Sequence, residues 1–86
     1  MANVLVKIKV MPEGLEVNLD NLENEIKNKI SPNKIEREPI AFGLEAILVT
    51  KIIPDDAKYL EEIETKIKQI EGVSSVETIE ISRLLV

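Results

Sequence analysis

Cysteine and histidine are both absent from the 86 residues of this sequence. Without them the chain has no disulfide, no thiol nucleophile and no thiolate or imidazole metal site, and it lacks the side chain whose pKa lies nearest neutral pH. A Mg²⁺ site built from carboxylates alone is the metal site that this composition leaves open. The sequence shows no nucleophile paired with a base and no glycine-rich phosphate loop, so we expect no catalytic residue and no cofactor.

Long apolar segments are missing as well, whereas a membrane-spanning helix needs about twenty consecutive apolar residues. The first ten residues, MANVLVKIKV, lack the continuous apolar block of a signal peptide. The sequence therefore predicts a cytoplasmic protein that does not bind a membrane. Its 16 acidic and 11 basic residues give a net charge of −5, which opposes unspecific attraction to nucleic acid. A protein or a cationic partner is the easier expectation.

The composition, with 44% hydrophobic and 31% charged residues, suits a soluble chain with a single core. We therefore expect one domain over residues 1–86. Residues 3–11 are predicted to form a strand, because alternate positions are apolar while Lys7 and Lys9 occupy the other parity. The apolar positions of this strand are Val4, Val6, Ile8 and Val10.

Two helices are predicted from apolar residues spaced three and four apart. Asn18 is the expected N-cap of the first, and Ser31 ends it because the following proline disfavours helical geometry in the residue before it. Asp55 or Asp56 caps the second, which we expect Gly72 to end in a left-handed conformation. The apolar stripes are Leu19, Leu22, Ile26 and Ile30 in the first helix and Leu60, Ile63, Ile67 and Ile70 in the second.

Residues 34–53 contain two extended stretches that break near Phe42 and Gly43, and a last strand runs from residue 73 or 75 toward Leu84 with irregular alternation. The element order is thus β-α-β-β-α-β. The economical arrangement is an α+β ferredoxin-like sandwich, in which both helices pack on one face of a four-stranded antiparallel sheet.

The opposite sheet face has no element to cover it. Lys7 and Lys9 are expected there, with acids from Glu45 or its neighbours, and a solvated face is the favoured interpretation. Asp55 and Asp56 have the chemistry of Mg²⁺ ligands or an acid–base pair, but helix capping explains them more simply. An RNA-binding domain of the same element order needs several aromatic residues and a basic surface, whereas this chain has one Phe, one Tyr and the opposite charge. No direct nucleic-acid contact is therefore expected.

Phe42 is the one phenylalanine, and residue type alone favours its burial in the core. Gly43 complicates that interpretation, because a glycine within a strand often marks a bulge or bend that turns the neighbouring side chain outward. An exposed aromatic would be a candidate anchor for the pocket of a partner.

Two segments, IEREPIAFGLEAILVTKIIPDD and EGVSSVETIEISRLL, resemble the nucleotide-exchange domain of translation elongation factor 1-beta. The resemblance extends over essentially the whole chain, which looks like the compact archaeal form. In the family a proline, a small residue, an aromatic and a glycine precede an Ile/Leu-rich strand and an Asp-Asp turn. The matching residues here are Pro39, Phe42, Gly43, Leu44, Asp55 and Asp56.

The resemblance implies exchange of GDP for GTP on elongation factor 1-alpha, the GTPase that carries aminoacyl-tRNA to the ribosome, by disturbance of its Mg²⁺ and phosphate site. In the family the aromatic contacts the GTPase, so Phe42 becomes the expected anchor, with Gly43 bending the strand to present it. Eukaryotic members direct a C-terminal lysine toward the Mg²⁺ site. Aligning their last strand on Val73 places Arg83 at that position, where a planar guanidinium replaces an ammonium.

Two other interpretations stay open. An ACT-type regulatory domain shares the topology, often has a Gly-Val pair after a helix as at Gly72 and Val73, and binds amino acids at a dimer interface. A purely structural interaction module is the third, and the response of a GTPase would separate it from the first. For an exchange factor of this kind we expect a monomer when it is free.

Overall fold

Four strands and two helices follow one another in the order that the sequence predicts. The computed structural model describes residues 2–84, so Met1, Leu85 and Val86 lie outside it. The elements are β1 (Asn3–Pro12), α1 (Leu19–Ile30), β2 (Lys34–Pro39), β3 (Glu45–Pro54), α2 (Ala57–Lys68) and β4 (Val73–Arg83).

The strands form one antiparallel sheet in the order β2-β3-β1-β4, which places β1 and β3 in the centre. One face of β1 is a row of buried valine and isoleucine side chains, and the buried residues of both helices belong to the same core cluster. Both helices therefore pack on one face of the sheet. The predicted α+β ferredoxin-like sandwich is confirmed.

The helix starts follow the predicted caps. The Asn18 side chain accepts a hydrogen bond from the backbone N–H of Asn21 at 3.1 Å, and the Asp56 side chain accepts one from Lys58 at 2.9 Å. These caps satisfy N–H groups that have no partner within the helix. At the end of α1, Ser31 has a left-handed φ of 47° and its N–H donates to the carbonyl of Lys27.

The predicted end of α2 is wrong. The helix stops at Lys68, and the residue that follows, Gln69, has right-handed geometry. Gly72 does have a positive φ, 97°, but it belongs to the turn that enters β4. Ile70 is nevertheless buried in the core, as its place in the apolar stripe predicts. A Cβ at Gly72 would stand 3.2 Å from a methyl carbon of Val17, so a side chain there would be crowded as well as strained.

A β-bulge in β4 explains its irregular alternation. Lys7 of β1 lies opposite Glu80, whereas the next residue, Ile8, lies opposite Thr78, so Ile79 is the extra residue. The hydroxyl of Thr78 donates to a carboxylate oxygen of Glu64 at 2.6 Å and thereby joins β4 to α2. A single inserted residue moves the apolar positions after it to the other parity.

The uncovered sheet face carries a central basic row between two acidic rows. Lys7 and Lys9 stand on β1, and the ammonium of Lys9 lies 3.4 Å from a carboxylate oxygen of Glu38 on β2. Glu80 of β4 lies opposite Lys7. Glu45, expected on this face, instead shares the parity of the buried Ile47, so β2 and β4 supply the acids.

Neither α1 nor α2 is both long enough and apolar enough to cross a membrane. Among residues 2–84, no group of three or more acidic side chains is arranged to hold a metal ion.

Candidate interaction site at the hairpin tip

The β2–β3 connection is a tight turn formed by residues 41–44. The N–H of Leu44 donates to the carbonyl of Ala41 at 3.0 Å, and the two central residues, Phe42 and Gly43, have φ values of 55° and 82°. Two consecutive positive φ values are the pattern of the hairpin turns that match strand twist. Gly43 thus lies at the predicted break between the two extended stretches, and of the two possibilities, a bulge or a bend, the structure has the bend. Gly43 completes the turn at which the two strands end.

Phe42 projects from this turn with 94% of its surface exposed. The burial expected from residue type is wrong, because the ring lies beyond the end of the sheet, where no element can cover it. An aromatic residue in the left-handed region costs about 1 kcal/mol or more relative to glycine. The chain therefore keeps a large apolar ring in an exposed and strained position, which favours a role in binding over a role in stability.

Two further exposed apolar side chains surround the turn, and sequence analysis missed both. Leu15, in the β1–α1 loop, is 67% exposed, and Ile40, at the start of the hairpin connection, is 41% exposed. A Cβ built on Gly43 would lie 3.5 Å from Leu15 Cδ2, so these loops touch. The sequence held one signal for Leu15, because a leucine between a glycine and a glutamate in a polar loop has no helical or strand pattern that would bury it.

The hairpin is tied to α1 by Arg37 of β2. Its Nε donates to Glu23 at 2.6 Å and its Nη2 donates to Asp20 at 2.5 Å, and both acids lie in the first half of α1. The hydrogen bond to Glu23 and then that to Asp20 raise the pKa of the guanidinium. A raised pKa contributes stability that is lost only as the pH rises through it, so the guanidinium of Arg37 stays charged across the physiological range.

We expect Arg37→Ala to lower the melting temperature modestly at low salt and by less at high salt, because the two ion pairs are close to solvent and are screened. Lys34→Ala is the matched control on the same strand, since Lys34 makes a single exposed ion pair at 3.5 Å. Thermal unfolding of both variants at two salt concentrations measures the effect. If Arg37→Ala and Lys34→Ala had the same melting temperature, Arg37 would not stabilise the contact between the hairpin and α1.

Arg83 lies at the other end of the sheet. It is the last residue of β4, opposite Val4, its side chain is 80% exposed, and its Nη2 stands 3.7 Å from Asp55. Arg83 is level with Ile53 on β3, whereas Phe42 precedes the start of β3. At about 3.3 Å per strand residue, the two lie about 30 Å apart. The structure thus joins Phe42 and Gly43 in one turn and separates them from Arg83.

The conserved pattern of one protein family matches this chain over residues 5–84, from β1 to the residue after β4. That family is the EF-1 guanine nucleotide exchange domain. The chain belongs to it. The match includes all four strands and both helices, and the turn that carries Phe42 lies within it.

Named relatives agree with this assignment of the exchange domain. Elongation factor 1-beta of Natronomonas pharaonis is 38% identical over 98% of this chain and 100% of its own length. The proteins of the same name from Methanothermobacter thermautotrophicus and Saccharolobus islandicus are each 40% identical, with at least 98% of both chains covered. The exchange domain is therefore a guanine-nucleotide exchange factor of translation elongation, and it is not a catalytic enzyme.

The fold of the exchange domain is also found outside the family. The ACT domain from GTP pyrophosphokinase of Chlorobium tepidum superposes with a TM-score of 0.65 and covers 90% of this chain and 99% of its own, at 21% sequence identity. At that identity the likeness shows the fold alone. It accounts for the ACT-type interpretation of the sequence, because both kinds of domain share one element order.

Proposed function

We propose that this exchange domain promotes release of GDP from elongation factor 1-alpha by touching the GTPase with both ends of its sheet. The hairpin turn with Phe42 provides the anchor, and Arg83 acts at the Mg²⁺ and phosphate site of the bound nucleotide. The observation that carries the proposal is the exposure of Phe42, an aromatic residue held at positive φ beyond the end of the sheet.

The shape of the domain supports contact at two separate places. It measures 42 × 22 × 17 Å, and the two candidate residues lie near the ends of its long dimension. A partner that meets both residues must present two surfaces about 30 Å apart by the same strand-length estimate. A GTPase bridged in this way would have the two surfaces held in a fixed relation by the rigid sheet.

Arg83 is free enough to leave its present neighbour. Among residues 2–84 it makes one ion pair, with Asp55, which is long and exposed, and such pairs contribute little to stability. Moving the guanidinium to a nucleotide site would therefore cost little. A cation there would compete with Mg²⁺ for the negative charge of the phosphates and their ligands.

The exchange itself follows from linkage and needs no catalytic group on the domain. If the factor and GDP favour different states of the GTPase, each lowers the affinity of the other by the same factor. GTP then replaces GDP when it is in excess. The domain acts in the cytoplasm as a free monomer and needs neither nucleic acid nor a membrane for this reaction.

Release of a fluorescent GDP analogue from purified elongation factor 1-alpha of the same organism tests the proposal. We expect the release rate to rise with the concentration of the exchange domain and to saturate. Bovine serum albumin at equal concentration is the control for unspecific effects. An unchanged release rate, with a GTPase that binds and hydrolyses GTP normally, would contradict the proposal.

A further inference from the structure

The β1–α1 loop holds Leu15 outward although both of its ends are fixed. The N–H of Glu13 donates to the carbonyl of Gly72 at 2.9 Å, and the N–H of Val17 donates to Gly14 at 3.3 Å. Val17 packs against the core. Leu15 lies between these ordered backbone positions, and its side chain is 67% exposed.

Leu15 meets the hairpin turn and extends its apolar surface. We call Leu15, Ile40 and Phe42 together the apolar tip. A methyl carbon of Leu15 lies close to Gly43, the residue that follows Phe42 in the turn. In the part of the chain that the structure describes, the other exposed large apolar residues stand on β3, β4 and α2; they are Ile52, Tyr59, Ile79 and Ile81.

Acidic side chains border the apolar tip. Glu16 follows Leu15 directly and is exposed, and Glu45 begins β3 just after the turn. A partner that receives the tip must therefore place basic groups at the edge of its apolar depression, since like charges there would repel the domain.

We propose that Leu15 binds the GTPase directly beside Phe42, and that the apolar tip enters one hydrophobic depression with a basic border on that protein. This rests on the proposed function and adds a second anchor from a different loop. Interface energy concentrates in a few apolar groups that lose contact with water together. Both loops are already ordered by their backbone hydrogen bonds, so little conformational entropy opposes binding.

The first test measures the affinity of Leu15→Ala for nucleotide-free elongation factor 1-alpha. We expect binding to weaken about 5- to 30-fold, which is the loss typical of an interface side chain that contributes measurably to affinity. Leu15→Met keeps most of the apolar surface and is expected to restore most of the affinity. Ile79→Ala, which removes an exposed apolar side chain from β4, is the matched control and leaves the affinity unchanged.

A double-mutant cycle with Phe42→Ala separates direct contact from support of the turn. If Leu15 touches the GTPase, Leu15→Ala still weakens binding several-fold when Phe42 is already alanine. If Leu15 merely positions the ring, the second substitution has no further effect, and the proposal is overturned. Full affinity of the single Leu15→Ala variant also overturns it.

The same measurements keep this inference distinct from the exchange function. Wild-type protein that fails to accelerate GDP release contradicts the proposed function itself. Wild-type protein that accelerates release, with loss in Phe42→Ala and none in Leu15→Ala, overturns the second anchor alone. A circular dichroism melt of each variant excludes unfolding as the cause of a loss.

Discussion

Phe42→Ala is expected to lower the rate of factor-stimulated GDP release by about 30-fold or more at sub-saturating factor, which is the effect of removing an interface hot spot of about 2 kcal/mol. The stability of the free domain should not fall. The ring is 94% exposed and contributes almost no buried surface to the core. Stopped-flow release of a fluorescent GDP analogue and thermal unfolding measure the two quantities.

A second substitution at the same position makes this expectation sharper. Phe42→Asn should raise the free energy of unfolding by about 0.5–1 kcal/mol, because asparagine tolerates a positive φ better than phenylalanine does. The same change should lower exchange as strongly as alanine does. Function and stability then move in opposite directions at one residue.

Two outcomes would contradict the proposal that Phe42 anchors the domain to the GTPase. A large loss of stability in Phe42→Ala would mean that the ring packs against the domain after all. Normal exchange by both variants, with Ile79→Ala as the control for loss of an exposed apolar group, would mean that the turn does not bind the GTPase.

Arg83→Ala is expected to lower the maximal rate of GDP release, at saturating factor, by about 10-fold, a change of roughly 1.4 kcal/mol in the barrier. The affinity for the nucleotide-free GTPase should change less, since Phe42 at the other end of the sheet still binds. The reason is electrostatic: the guanidinium competes with Mg²⁺ for the phosphate site. Single-turnover release over a range of factor concentrations separates the two effects.

The Mg²⁺ concentration supplies the internal control for Arg83. When Mg²⁺ is removed by chelation, the GTPase should release GDP at similar rates with wild-type and with Arg83→Ala protein. Displacement of Mg²⁺, the step that the guanidinium is proposed to assist, then no longer limits release. Arg83→Lys should keep most of the activity, since an ammonium carries the same charge without the planar geometry. If Arg83→Ala lowered the rate of GDP release equally with and without Mg²⁺, competition between the guanidinium and Mg²⁺ would be ruled out.

The parts of the fold that rest on local chemistry could be predicted from the sequence. The alternation of β1 and the apolar stripe of α1 repeat at fixed spacing, and Asn18 and Asp56 cap their helices through residues three and two positions ahead. These signals act within one element. Packing did not override them.

The features of the fold that the sequence did not predict depend on residues far apart in the chain. The turn that follows α2 is held to the β1–α1 loop by the hydrogen bond that the N–H of Glu13 donates to the carbonyl of Gly72, and the bulge at Ile79 is defined only by its pairing with β1. Neither relation is visible in a local pattern. The break near Phe42 and Gly43 was predicted, but the choice between a bulge and a tight turn there depends on how β2 and β3 pair.

The candidate site could be predicted only in part, because it too depends on residues that are far apart in the chain. The resemblance selected Phe42, and the structure shows it exposed, while its contact with the GTPase stays a prediction. Leu15 could not be placed beside it, since nearly thirty positions separate Leu15 from Gly43 in the sequence. Only the pairing of β1 with β3 brings their loops to one end of the sheet.

The bulge at Ile79 also bears on what the domain does not bind. β4 is an edge strand of 11 residues, and a straight edge of that length would accept the strand of a second molecule. The extra residue bends and twists this edge near its middle, and Glu77 and Glu80 add negative charge on either side. Self-association through continued sheet formation is thereby opposed, so the long edge of this sheet stays unpaired even at high protein concentration.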